Sequence, residues 1–317
     1  MKDTQIKKLI DAEKKRQKSV INLIASENYV SKDVLEALGS ELTNKYGEGY
    51  PGRRYYRGTK IVDEIETLAQ ERARKLFDLK ESEWGVNVQP LSGSPANLAV
   101  YSALVLPGEK IMGMALNHGG HLTHGQKVSM TGKFWNSVLY GVDKDTELLN
   151  YDEVKNMALT ERPKIIVAGF TAYAHIVDFK KFREIADACG AILMIDMSHF
   201  AGLVAGKAYP TPFLYADVVT TTTHKTMRGP RSAIIFSRKD RTKTNTKGKE
   251  ISFSDLIDKT IIPGLQGGPH FNQIAAVAVA LKEAMTPAFR KYAIQVKKNA
   301  KVLSDELSRL GWRIVEG

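Results

Sequence analysis

Between residues 85 and 237 short apolar runs alternate with helix-period segments, and this alternation constrains the fold more than any other feature. The runs are "GVNVQPL" (85–91), "KIMGMAL" (110–116), "SVLYGV" (137–142), "KIIVAGF" (164–170), "AILMID" (191–196), "ADVVTTTT" (216–223) and "SAIIFS" (232–237). Helices are predicted at "SGSPANLAVYSALVL" (92–106) and at "KFREIADACG" (181–190), which Gly190 ends. Strands alternating with helices predict an α/β fold, a mostly parallel sheet covered on both faces. Ligands bind such sheets beyond the carboxyl ends of the strands, so the residues following each run are the first candidates.

The flanks are helical. Residues 2–18 are charged and amphipathic, without the apolar core of a signal peptide. A helix with Ser31 as its N-cap is predicted over 30–46, and a loop over "GEGYPGRRYYRG" (47–58). Residues 59–79 predict an amphipathic helix with Ile61, Ile65, Leu68, Ala69, Arg72 and Leu76 on its apolar face. Helices return at 270–285 and 287–311, and "WRIVEG" (312–317) looks like the first strand of another domain. The expected division is an N-terminal helical arm at 1–45, a large domain at 46–275, and a linking helix with the start of a truncated C-terminal domain at 276–317. Loss of that last domain would leave the apolar face of 271–285 exposed.

Composition narrows the class. The length of 317 residues suits one large domain and part of another, and no apolar run approaches the roughly 18 residues of a membrane span. A single cysteine, Cys189, excludes an intrachain disulfide and fits a reducing cytoplasm. The net charge of +11 is spread along the chain, and the basic run 237–250 has no interleaved aromatics. It reads as a solvated loop rather than a nucleic-acid surface.

Four constellations follow strands. In "LSGSPAN" (91–97), Ser92, Gly93 and Ser94 precede Pro95 at a helix start, which suits either a phosphate or an ordinary capped terminus. In "NHGGHLTHG" (117–125), His118, His121 and His124 recur every third residue. They could ligate a metal, stack on a planar ligand or satisfy backbone groups. Asp196 ends the run 191–196, with His199 three residues on, and its charge needs a ring nitrogen, a metal or a helix terminus. "TTTTHKTMRGPR" (220–231) then presents His224, Lys225, Arg228 and Arg231 at the end of an apolar strand, where a lysine is costly to desolvate.

Pyridoxal phosphate uses all these parts. A lysine forms its Schiff base, an acid holds its pyridine nitrogen protonated, and a donor-rich turn fixes its phosphate. Desolvation and neighbouring cations lower a lysine's pKa and make it a nucleophile. A histidine metallohydrolase on His118, His121, His124 and Asp196 is the rival, but it leaves Lys225 unexplained.

The longer motifs are more specific. "NLIASENYVS", "LTNKYGEGYPGRRYY", "NVQPLSGSPANLAVY", "HGGHLTHG", "KFREIADACGAILMIDMSH", "ADVVTTTTHKTMRGPR" and "PGLQGGPH" occur in this order from about residue 20. Together they resemble serine hydroxymethyltransferase, a fold-type I pyridoxal-phosphate enzyme. The resemblance implies an aspartate-aminotransferase-like large domain. It also implies the reversible conversion of L-serine and tetrahydrofolate to glycine and 5,10-methylenetetrahydrofolate, in cytoplasmic one-carbon and amino-acid metabolism. A threonine aldolase-like enzyme of the same fold is the nearer alternative.

Carried over by position, Lys225 corresponds to the cofactor-bearing lysine, His224 to its neighbour, Asp196 to the ring-nitrogen partner and His121 to the stacked imidazole. Ser92, Gly93 and Ser94 correspond to the phosphate cup. Thr171, His199, Arg231, Ser26 and Tyr56 correspond to further cofactor or substrate contacts. Glu48 corresponds to the acid–base glutamate and Tyr55 to a substrate-site tyrosine. Leu116, Gly120 and Leu122, with Glu48 and His121, correspond to the folate site. Tyr46, Glu48, Tyr55, Gly267 and Gly268 are implied to reach a partner's site, making a homodimer the functional unit. The family's substrate-carboxylate arginine lies in the C-terminal domain, and no residue here corresponds to it. Arg57 stands where the family usually has a glycine.

Overall fold

In a computed structural model, which describes residues 1–244 and 247–315, the predicted alternation becomes one seven-stranded sheet. Helices α1 (Thr4–Ser19) and α2 (Lys32–Leu38) lead to a two-stranded ribbon, β1 (Gly49–Tyr50) and β2 (Arg53–Arg54), and to α3 (Lys60–Leu76). Next come β3 (Trp84–Asn87), α4 (Gly93–Leu104), β4 (Lys110–Met114), α5 (Met130–Phe134), β5 (Asn136–Tyr140), α6 (Tyr151–Glu161), β6 (Ile165–Ala168) and α7 (Phe179–Cys189). They are followed by β7 (Ile192–Asp196), α8 (Ala201–Ala205), β8 (Val218–Thr222) and β9 (Ala233–Arg238). A hairpin of β10 (Thr242–Thr244) and β11 (Glu250–Ser252), then α9 (Phe253–Lys259), α10 (Phe271–Ala284) and α11 (Pro287–Arg309), complete the chain.

The sheet order is β3-β9-β8-β7-β6-β4-β5. Strands β5, β4, β6, β7 and β8 run parallel, as predicted, while β9 is antiparallel to both neighbours. Both faces are covered. Ile166, Leu193, Ile195 and Val219 join one apolar cluster, and Ile165, Val167, Met194 and Val218 join the other. This period-two division explains why these strands are apolar throughout rather than alternating.

Several expectations change. The helix predicted over 30–46 stops at Leu38, where Gly39 caps it, and a 3-10 turn covers Glu41–Asn44. The loop at 47–58 contains the ribbon. In α3 the buried stripe is Val62, Glu66, Ala69, Ala73 and Leu76, while Ile61 and Leu68 are exposed. The missed signal is Glu66, whose charge hid a core position. Helix α10 is buried against α3 on the side of Phe271, Ile274, Val277 and Leu281 and against Val34 of α2 on the side of Ala276 and Ala280, so its apolar face is not exposed. It runs unbroken across residue 276. Trp312–Val315 form no strand, and the last two residues of "WRIVEG" lie outside the described residues. The basic run 237–250 takes in the end of β9 and most of the β10–β11 hairpin, with residues 245 and 246 outside the described residues.

Candidate active site

The carboxyl ends of β6, β7 and β8 and the start of α4 surround a cavity of about 210 Å³. Ser26, Ser92, Gly93, Ser94, His121, Thr171, Asp196, His199, His224, Lys225 and Arg231 line it, together with Asn97, His124, Phe170, Ser198 and Thr222. Eleven of the residues expected from sequence therefore converge on one enclosure. Tyr46, Glu48, Tyr55, Tyr56, Leu116, Gly120, Leu122, Gly267 and Gly268 are not in its lining.

Asp196 closes the floor. Its Oδ1 accepts from Ser198 N–H at 3.1 Å and Ser198 Oγ–H at 2.6 Å, and its Oδ2 from Asn97 Nδ2 at 2.8 Å. His124 Nε2 lies 3.0 Å from the same Oδ2. Burial, the largest single effect, favours the neutral acid. The hydrogen bonds from His124, Ser198 and Asn97 together outweigh it and hold the carboxyl well below the usual carboxylate range. Asn97 in turn accepts from Thr220 Oγ–H at 2.8 Å and donates to Thr123 Oγ1 at 2.9 Å.

The four threonines divide by strand alternation. Thr220 and Thr222 share one side of β8, where Thr220 supports Asn97 and Thr222 lines the cavity. Thr221 and Thr223 donate instead to the Thr222 and Pro230 carbonyls. Lys225 follows β8 and is only 7% exposed. Burial lowers its pKa, Arg231 lowers it further, and the Asp196 carboxylate opposes both. Burial also depresses His121, His199 and His224 to about 4, with neighbouring cationic groups assisting.

The histidine run is not one helical face. His118 and His124 lie on separate 3-10 turns, Leu116–His118 and Leu122–His124. His118 Nδ1 accepts from Val142 N–H at 3.1 Å, the backbone-satisfying alternative. Among the described residues no group of three His, Cys, Asp or Glu side chains could hold a metal ion. His121 lines the cavity, and its Nδ1 is held by Thr123 N–H at 3.2 Å and lies 2.8 Å from Thr123 Oγ1.

Sequence reasoning missed Asn97, Thr123 and Ser198, and weighed His124 as a metal ligand, a stacking ring or a partner of backbone groups, not as the partner of Asp196. For Asn97 a signal existed: it lies four residues, one helical turn, beyond Gly93. Nothing local pairs His124 with Asp196, 72 residues away.

The cavity has the features a phosphorylated, ring-bearing ligand requires. Ser92, the N-cap of α4, makes no side-chain capping bond, so no capping side chain occupies the first-turn N–H donors where Ser92, Gly93 and Ser94 line the cavity. Thr222 Oγ1 and His224 Nδ1 are buried without partners among the described residues. The sequence model of the serine hydroxymethyltransferase family matches residues 1–317. The chain belongs to this family. It is 55% identical over 315 residues to a serine hydroxymethyltransferase of Desulfotalea psychrophila, covering 99% of this chain and 70% of that protein. It is 51% identical over 315 residues to serine hydroxymethyltransferase 1 of Pseudomonas fluorescens, covering 99% of this chain and 73% of that one. The family depends on pyridoxal phosphate and uses tetrahydrofolate as co-substrate. The uncapped helix start, the depressed Lys225 and the ionised Asp196 suit that cofactor.

A second cluster forms around the ribbon. Tyr46 Oη–H donates to Glu48 Oε1 at 2.7 Å, and the Tyr46 and Tyr56 rings meet edge-on at 5.3 Å between centroids. Gly267 and Gly268 lie against this pair, and a Cβ at Gly268 would stand 2.5 Å from the Tyr46 ring. Tyr55 is 69% exposed. No described helix is long and apolar enough to cross a membrane.

Proposed function

We propose that the chain catalyses the reversible conversion of L-serine and tetrahydrofolate to glycine and 5,10-methylenetetrahydrofolate, with pyridoxal phosphate held at Lys225. The convergence of Lys225, Asp196 and the Ser92–Ser94 turn on one enclosure carries this reading. When bound, the cofactor supplies an electron sink for the amino acid's α-carbon. The residues do the rest. Ser92, Gly93 and Ser94 bind phosphate through N–H and hydroxyl donors at the positive end of α4. The Asp196 carboxylate holds a proton on the ring nitrogen. His121 would pack over the ring, and Ser26, Thr171, His199, His224 and Arg231 complete the walls. Lys225 would hold the cofactor, since its lowered pKa raises the neutral, nucleophilic fraction of its amine.

Glu48 moves the serine hydroxyl proton, and Tyr55 contacts the substrate. Leu116, Gly120 and Leu122 contribute to folate binding with Glu48 and His121. Tyr46, Glu48, Tyr55, Tyr56, Gly267 and Gly268 lie outside the cavity lining, which supports a homodimer in which they serve the partner's site. A cytoplasmic location fits the single cysteine. Residues 46–275 form the cofactor-binding domain, with a helical arm before it and a linking helix after it. The test is addition of pyridoxal phosphate to the purified chain. A visible absorbance band fixed by borohydride, and serine cleavage that requires tetrahydrofolate, are expected. Folate-independent cleavage would favour the aldolase reading, and no band would refute the proposal.

A further inference from the structure

Gln89 lies outside the cavity lining, yet its bonds reach Gly49 and Gln266, which adjoin the two segments of the Tyr46–Glu48 cluster. It follows β3, three residues before Ser92, and is 2% exposed. Its Nε2 donates to the Gly49 carbonyl at 3.0 Å and to Glu66 Oε1 at 2.7 Å. Gly49 adjoins Glu48 and pairs with Arg54 across the ribbon. Glu48 and Tyr55 therefore sit at the ribbon's open end, closed by Tyr55 N–H donating to the Glu48 carbonyl at 3.1 Å. Glu66 is fully buried, and its Oε2 accepts from Arg54 at 2.5 Å. On the other side, Gln266 clasps the backbone around Gln89. Its Nε2 donates to the Gln89 carbonyl at 2.9 Å, and its Oε1 accepts from Leu91 N–H at 3.1 Å. Gln266 is followed by Gly267 and Gly268, the floor beneath Tyr46 and Glu48.

The amide orientation of Gln89 is forced. Gly49 offers a carbonyl and Glu66 a carboxylate oxygen already opposite Arg54, so both partners accept and the NH2 must face them. The cost is visible, because Gln89 Oε1 is buried without a partner. An apolar residue here would leave Glu66 Oε1 buried without this donor. The retained unsatisfied oxygen marks a position held for the two bonds on the other edge.

We propose that Gln89 is a positioning residue for the reaction, locking the Glu48 end of the ribbon to the turn that leads into Ser92. The idea rests on the acid–base reading of Glu48. Acid–base groups lose efficiency when displaced by about 1 Å, so a loosened ribbon acts on turnover rather than on binding.

The test replaces Gln89 by Met, which keeps the volume and removes both bonds. In the holoenzyme, amide hydrogen exchange over 46–57 should accelerate at least about tenfold while β6 and β7 keep wild-type protection. The kcat should fall roughly ten- to a hundredfold with KM for serine and cofactor absorbance unchanged. Unchanged exchange over 46–57, or acceleration spread equally through β6 and β7, would overturn the proposal. If Gln89→Met does not fold, Gln89→Asn decides. Its amide is one methylene shorter and cannot reach both Gly49 and Glu66, while the Arg54–Glu66 pair is untouched, so the ribbon should again be loose. Wild-type protection and turnover there would refute the role. Exchange is read without turnover, so an inactive wild-type enzyme would count against the functional reading and not against the lock.

Discussion

His124 Nε2 lies 3.0 Å from Asp196 Oδ2, and both side chains are buried. His124 Nδ1 accepts from the His121 backbone N–H at 3.3 Å, so that nitrogen carries no proton. Nε2 is the nitrogen that faces the ionised carboxylate as donor. One histidine thus fixes the charge of the acid and the start of the turn that carries His121.

Replacing His124 by Leu removes that donor and leaves the His121 N–H unpaired. Hydrogen bonds to charged groups contribute roughly 1.5–3 kcal/mol, so affinity for pyridoxal phosphate should drop about ten- to a hundredfold. Titration of the visible band would measure it, and unchanged affinity would count against the assignment.

Gly169 follows β6, and a Cβ there would stand 2.1 Å from the Asp196 carbonyl oxygen and 2.8 Å from its backbone nitrogen. Neither backbone atom can swing aside. Gly169→Ala should therefore destabilise the chain by about 1–3 kcal/mol, as overpacking does, and shift Asp196 as well. Denaturant unfolding and cofactor titration should both register the change.

At Gly268 the obstacle is the Tyr46 ring, which is half-exposed and can move. Gly268→Ala should leave the melting temperature within a few degrees of wild type. It should still lower kcat, because Tyr46 can no longer bond Glu48. A variant with normal kcat would show that the bond is dispensable.

Acid stability has two opposing sources. His121, His199 and His224 are held at about 4, below their unfolded value, so the unfolded chain binds more protons between roughly pH 6.5 and 4. Stability falls across that window as pH falls. Asp258 is raised to about 7, chiefly by burial, so the folded chain binds its proton first and stability gains as pH falls from 7 toward 4. Asp258→Asn should melt higher than wild type at pH 8, with the gain shrinking toward pH 4. It should also show a steeper loss between pH 6.5 and 4. Parallel melting curves for the two proteins across this range would refute the assignment.

The alternation of apolar runs was enough to foresee the parallel sheet, and the residues after each run were enough to foresee most of the cavity. Lys225, Asp196 and Ser92–Ser94 were legible as cavity residues because they stand in short contiguous stretches at strand ends. The α3 stripe was misread because Glu66 is a charged residue whose burial depends on Arg54 and Gln89. The antiparallel course of β9 was not legible either, since an apolar run carries no direction.

The α/β class, the strand ends that border the cavity and the lysine among them could be read from the chain alone. These follow from local periodicity and from the cost of burying a charge. The tertiary structure alone decided which groups answer those charges. His124 reaches Asp196 across 72 residues, Asn97 reaches Thr220 across 123, and Gln89 reaches Gly49 across 40. Such pairs depend on how separate strands and helices stack, and hydrogen bonds need their partners within about 3 Å, so no local pattern announces them.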